Sequence, residues 1–228
     1  MAVVYNTNII RNGLVLYLDA ANVKSYPGTG TTWTDLSGNG NNGTLTNGPT
    51  YDSTNNGSIV FDGTNDYATT SVNFNNSNNF TINLWLKNTA RGVSDGQILC
   101  IGNEKLLFYT AASTGSSPWV FSVYSPTIFN NTPRYSSLVM QLNQWYNLVG
   151  VYRGTSFEML VNNVSILDLN TSISSYNIGV ETIQMPRRIL TGFTQFPGNI
   201  AQTSIYNRAL TAAEITQNFN AQRGRYGI

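Results

Sequence analysis

The chain has no histidine, one cysteine and few charges: 12 Lys and Arg against 11 Asp and Glu in 228 residues, a formal net charge of +1. Each scarcity removes a class of function. Without histidine there is no Ser-His-Asp or Cys-His nucleophile, and the commonest metal ligand is missing. A single cysteine excludes an internal disulfide framework and any multi-cysteine zinc site. Balanced charge with no basic run gives no electrostatic handle for nucleic acid or an anionic membrane. No apolar run approaches the roughly 20 residues of a membrane helix. The first 13 residues have neither the basic nor the apolar region of a signal peptide. Synthesis in the cytosol is therefore expected, with Cys100, inside the apolar run 98–101, a reduced core residue.

What is present points one way. Charged residues make up 10% of the chain, against roughly 25% in an ordinary soluble domain. In their place stand 31 Asn, 26 Thr, 20 Ser and 20 Gly, residues that make turns and an uncharged hydrogen-bonding surface. Thirteen Tyr and ten Phe, with Val, Ile and Thr throughout, favour strands. The expectation is an all-β, two-sheet antiparallel jelly-roll sandwich.

Short strands are expected at 14–18, 58–61, 67–72, 80–87, 97–101, 106–110, 119–124, 135–140, 145–153, 157–161, 165–169, 188–193 and 199–206, with 19–49 as a long turn-rich stretch. Phe80, Ile82, Leu84 and Leu86 alternate cleanly, and Asn162-Asn163 suits a two-residue hairpin turn. One short C-terminal helix begins at the capping box Thr211-Ala212-Ala213-Glu214, lays Ile215 and Phe219 on the sandwich, and is expected to end near Arg223-Gly224. No linker divides the chain. The reading is an N-terminal arm, 1–13, and one sandwich domain, 14–228.

Few residues invite chemistry. Glycoside hydrolysis needs two facing carboxyl groups about 5–9.5 Å apart, yet none of Glu104, Glu158, Glu181 and Glu214 lies two residues from another acid. Glu214 is explained by capping, and Glu158 is expected on the polar face of its strand. Asp62, Asn65 and Asp66 share a loop that could offer oxygens to calcium, or simply bond its own backbone as a turn. Asn103-Glu104 is a weaker metal candidate. Trp85, Trp119 and Trp145 fall within strand patterns and are expected in the packing. Trp33, beside Thr-rich loop sequence, is freer to be exposed and to stack on a sugar, although a lone loop aromatic more often pins its loop. Arg187-Arg188, Arg223 and Arg225 are expected to be solvated.

Four segments resemble the laminin-G-like branch of the concanavalin A-like lectin/glucanase superfamily: 35–44 (DLSGNGNNGT), 61–67 (FDGTNDY), 80–87 (FTINLWLK), and 145–153 running into 157–162. Residues 198–211 are similar to the family's last strand and helix entry. The two ends, 13–20 (GLVLYLDA) and 218–226 (NFNAQRGRY), look like those of tailed-bacteriophage virion structural proteins. This resemblance implies a non-enzymatic virion protein, made in the host cytoplasm, that decorates the capsid or another particle surface component and aids adhesion. The implied partners are other virion proteins, capsid or fibre, surface glycans and further copies of the chain, with no nucleic acid and no membrane insertion. Two alternatives stand beside that reading: a carbohydrate-binding adhesin of a tail or head fibre, and a glycoside hydrolase. Relatives often carry an acidic pair near calcium in the closing strand. Here those places are Ala201 and Gln202, and 189–197 has no carboxylate. No cofactor is required, and calcium at the 62–66 loop is the one ion considered.

Overall fold

The computed structural model describes residues 8–90, 96–112, 119–170, 178–186 and 194–228. In chain order the strands are β1 (Leu14–Asp19), β2 (Thr32–Trp33), β3 (Gly43–Thr46), β4 (Thr50–Asp52), β5 (Ser58–Asp62) and β6 (Tyr67–Ser77). They continue with β7 (Asn79–Asn88), β8 (Gly96–Ile101), β9 (Leu106–Ala112), β10 (Trp119–Tyr124), β11 (Arg134–Val139) and β12 (Trp145–Arg153). The last are β13 (Ser156–Val161), β14 (Val164–Asn170), β15 (Ile178–Met185), β16 (Thr194–Gln195) and β17 (Pro197–Tyr206), followed by helix α1 (Ala212–Tyr226).

Two sheets face each other, antiparallel except where the two-residue β16 runs parallel to β8. Sheet I has the order β14-β13-β12-β7-β17-β5-β4, with β1 beside β17 beyond the end of β5. Sheet II has the order β11-β10-β9-β8-β15-β6-β3-β2. This is the sandwich, with one C-terminal helix, that the composition and periodicity imply.

Alternation decides what lies between the sheets. In β7, Phe80, Ile82, Leu84 and Leu86 enter the inter-sheet core, and in β6 Ala68, Val72 and Phe74 meet them from sheet II. Phe80 packs edge-on to Phe74 at 6.0 Å. Burying a side chain of this size stabilises by about 1.5–3 kcal/mol, so the period-two pattern fixes the register.

The abundance of asparagine has a backbone cause. Among the described residues, every non-glycine position with positive φ except Glu104 is Asn, including the pairs Asn55-Asn56, Asn75-Asn76, Asn130-Asn131 and Asn162-Asn163. Asn tolerates the left-handed region that type I′ turns demand. Asn162 (φ 51°) and Asn163 (φ 65°) make the expected hairpin turn between β13 and β14.

Several expectations need correction. The stretch 19–49 contains β2 and β3, and neither β4, β15 nor β16 is foreshadowed. Strand β15 is hard to read because its pattern is inverted: Glu181 is buried while Val180 is 67% exposed. The expected strand at 188–193 lies outside the described residues. Helix α1 does not stop at Gly224 but runs to Tyr226, and Gly227 caps it in the left-handed conformation (φ 73°). The described part of the arm, residues 8–13, lies on the chain's own helix. Ile9 is buried, the Ile10 amide donates to Asn218 Oδ1 (2.8 Å), and Tyr206 Oη donates to the Ile10 carbonyl (3.0 Å).

Candidate functional site

The two outer faces of the sandwich differ. On sheet I, register places Asp19, Gln202, Trp85 and Asn147 in one cross-strand row, and Tyr17, Ser204, Asn83, Val149 and Leu160 in the next. Helix α1 covers both rows. The Trp85 ring stacks on Phe219 at 5.8 Å and on Tyr226 at 4.1 Å, and Trp145 meets Tyr226 at 4.7 Å. Trp85 and Trp145 are therefore buried as expected, but beneath the helix rather than between the sheets. The Trp119 side chain lies outside the described residues.

Polar contacts pin the helix at both ends. At its start the Glu214 amide donates to Thr211 Oγ1 and the Thr211 amide donates to Glu214 Oε2, closing the capping box. Arg208 donates twice to Glu214, and these bonds draw its carboxyl down to about 2. At its end Arg225 donates to Asp19 (2.7 Å) and to the carbonyls of Asn55 and Gly57. Arg225 is thus a buried partner of Asp19, contrary to the solvated charge expected of it. Burial raises the Tyr17 hydroxyl above its ordinary value and pushes Tyr206 up to about 12. This face is built to be closed.

On sheet II one row crosses seven strands: Thr32, Thr44, Thr69, Gln184, Cys100, Leu107 and Tyr124. Ser71 pairs with Thr182 in a neighbouring row, and Gln97, Tyr109, Ser122 and Tyr135 form another. None of these side chains carries a charge. Thr32, Thr44, Ser71, Asn73 and Thr182 are exposed, while Cys100, Leu107 and Tyr109 form a buried apolar cluster at the far end. Three polar atoms of this face, Gln97 Oε1, Ser122 Oγ and Gln184 Oε1, are buried without a hydrogen-bond partner. Such atoms cost about 1–3 kcal/mol each, and they lie beneath the surface, out of reach of a ligand on the open face. Hydroxyls, amides and tyrosines without charge suit a neutral, polyhydroxylated ligand.

The residues singled out in the sequence fare differently. Trp33 is fully buried, packed in the inter-sheet core from β2, and so presents no ring to a sugar. The Thr-rich surroundings misled because β2 pairs with β3 there, which turns the side chain inward. Asp62, Asn65 and Asp66 do come together, as a turn. Asp62 Oδ1 accepts from the amides of Thr64 (2.7 Å), Asn65 (3.2 Å) and Asp66 (3.4 Å), and Asp66 Oδ2 accepts from the Asp62 amide (3.2 Å). Burial would raise the Asp62 carboxyl, but the donated bonds outweigh it and hold it low. Burial and the neighbouring Asp62 charge raise Asp66. Calcium takes about six to eight oxygens; here one oxygen of each carboxylate, Asp62 Oδ1 and Asp66 Oδ2, is given to the loop's own backbone amides, the bonding of a turn. Glu104 sits in the β8–β9 turn at φ 60°. No group of three Asp, Glu or Cys that could hold a metal occurs among the described residues.

Two carboxylates meet that the sequence kept apart. Glu158 and Asp168 are opposite partners across the β13–β14 hairpin, where Cβ atoms lie about 4.5–5.5 Å apart. Asp168 is exposed, and Glu158 is ion-paired with Arg153 at 3.0 Å. Glu181 is ion-paired with Lys105. Arg187 and Arg188 lie outside the described residues. Sequence reasoning missed the Thr69, Ser71, Asn73, Thr182 and Gln184 surface. Its one legible sign was the polar residue at every second position from Thr69 to Asn75.

A family model described as the concanavalin A-like lectin/glucanases superfamily matches residues 62–216. Among curated proteins none matches. Domain 4 of AbnA, a GH43 extracellular arabinanase from Geobacillus stearothermophilus, solved with arabinotriose, superposes with a TM-score of 0.68 at 14% identity. That match covers 92% of this chain and 98% of the domain. Trypanosoma rangeli sialidase in complex with sialic acid gives a TM-score of 0.69 at 17% identity, over 93% of this chain but 33% of the sialidase. At these identities the likeness speaks for fold alone. With the family model spanning most of the sandwich, the chain belongs to the concanavalin A-like lectin/glucanases superfamily, on its laminin-G-like branch.

Proposed function

We propose that this protein is a non-enzymatic, lectin-like module that binds neutral glycans and is displayed on the surface of a bacteriophage particle. The observation that carries the binding half is the outer face of sheet II, where Thr32, Thr44, Ser71, Asn73 and Thr182 stand exposed in an uncharged array. A whole domain of the same fold, solved with arabinotriose, supports a carbohydrate ligand. The virion half rests on the resemblance of residues 13–20 and 218–226 to tailed-phage structural proteins. Partners there would be other virion proteins, and the exposed Tyr135, Val139, Leu142 and Val164, all in or near the edge strands β11 and β14, offer an apolar surface for them.

A hydrolase reading rests on Glu158 and Asp168. Their hairpin is an edge, and Glu158 is ion-paired with Arg153, whereas a glycosidase's two carboxyls face each other across a cleft. A glycan array run with and without calcium tests binding: neutral glycans are expected to bind in both. A blank array overturns it. Hydrolysis of a β-glucan, abolished by Glu158→Gln, overturns the non-enzymatic reading. Mass spectrometry of purified particles tests the virion role, which absence of the chain would refute.

A further inference from the structure

We infer that the rim beside β6 holds a pocket for one neutral sugar residue, walled by asparagine amides. The inference rests on the glycan reading and names the place where a terminal residue would be held. A cleft of about 230 Å³ lies between Val15 of β1, Asn39 and Asn41 of the 35–42 loop, and Asn73 and Asn75 of β6. Beyond Ser71, β6 has outrun β3, whose pairing ends at Thr69. The loop takes its place, held there by Thr70 Oγ1 donating to the Asn41 carbonyl (2.7 Å).

The loop is rigidly tied. Asp35, buried, accepts from the amides of Tyr17, Ser37 and Asn41 and from the Ser37 hydroxyl. Asn39 Nδ2 donates to the Leu14 carbonyl (3.1 Å), and Asn41 Nδ2 donates to the Val15 carbonyl (2.7 Å). Asn39 Nδ2 also donates to Ser37 Oγ (2.9 Å), which spends both its hydrogens, while Asn41 keeps one N–H; both side chains keep their carbonyl oxygens as acceptors. Asn73 is the converse: its Oδ1 accepts from the Asn75 amide (2.8 Å), which leaves its NH₂ group as donor. The Asn75 side chain has no hydrogen-bond partner among the described residues. A wall rich in acceptors facing one rich in donors matches a ring of hydroxyls, which both give and take.

Size and charge narrow the ligand. The cleft is smaller than the roughly 300–1,000 Å³ of drug-sized pockets, so it suits one ring rather than a chain. No Lys, Arg, Asp or Glu lines it, so neither a sialic acid nor an amino sugar cation finds a counter-charge. Preorganised amides avoid the cost of ordering a loop on binding.

The test is an NMR titration of the ¹⁵N-labelled full chain with free glucose, galactose, arabinose and N-acetylglucosamine, and with sialic acid as the charged probe. At least one neutral sugar is expected to shift the side-chain NH₂ signals of Asn39, Asn41, Asn73 and Asn75, while sialic acid leaves them unmoved. Asn73→Ala and Asn75→Gly, the latter chosen because Asn75 has φ 56°, should each weaken binding by about 3- to 10-fold; Asn75→Gly should leave the melting temperature unchanged, while Asn73→Ala, which also frees the Asn75 amide, should lower it by a few degrees. If arrayed glycans bind but these amides stay still and the two variants bind normally, the cleft is refuted and the glycan reading survives. If neither array nor titration shows binding, both fall.

Discussion

The outer faces of sheets I and II begin alike, as rows of alternating residues on antiparallel strands, and end differently. On sheet I the rows carry Trp85, Val149, Val151 and Leu160 among polar residues, and α1 with residues 8–13 is drawn down upon them. On sheet II the polar end carries Thr, Ser, Asn and Gln, which offer a helix nothing to bury. Closure therefore follows the apolar content of the row, and what is left open is the hydroxyl- and amide-rich surface. A sandwich with no charge to spare divides its work between a face for stability and a face for contact.

Substitutions should separate the two faces. The largest effect is expected from Trp85→Ala, which removes the ring stacked on Phe219 and Tyr226 and should cost about 3–5 kcal/mol in urea unfolding. Thr182→Ala, on the open face, should stay within about 0.5 kcal/mol. Equal losses would erase the distinction. Arg225→Ala strands Asp19 beneath the helix and should cost about 3 kcal/mol, whereas Arg225→Met, which keeps the packing, should cost less.

Acid sharpens the comparison. The folded carboxyl of Glu214 is held at about 2, below its ordinary value of 4.5. Its contribution is therefore complete above the unfolded value and is lost as the pH falls from about 4.5 through about 2. The melting temperature should fall across that window, and Glu214→Gln, which keeps the capping-box acceptor but loses the charge paired with Arg208, should flatten part of the slope. The smallest effect belongs to sheet II: Ser122→Ala removes a buried, unpartnered hydroxyl and should leave stability unchanged or raise it by up to about 1 kcal/mol. A marked loss there would mean that the hydroxyl serves the fold.

Much of this was legible in the residues. Phe80 to Leu86 declares its inner face by strict alternation, and Thr211 with Glu214 declares the helix start. The end of the helix was not, because Gly224 sits inside α1 and tertiary contacts of Arg225 and Tyr226 outweigh its weak helix propensity. Strand β15 was hidden because Glu181, buried and paired with Lys105, occupies a place where an apolar residue would have shown the period. Trp33 misled for the same reason that β2 was missed: a two-residue strand leaves no pattern. The turn at Asp62 and Asp66 was readable from local chemistry, since short-range Asx bonding needs no partner from elsewhere. The open surface was not, because it is assembled by register from strands far apart in the chain.

The most direct test of the division between faces is to map, by backbone amide NMR, where a glycan identified on the array binds. The account predicts shifts at Thr69, Ser71, Asn73, Thr182 and Gln184, and none around Trp85, Asn83 and α1. Shifts centred on the helix-covered face, with sheet II silent, would contradict it.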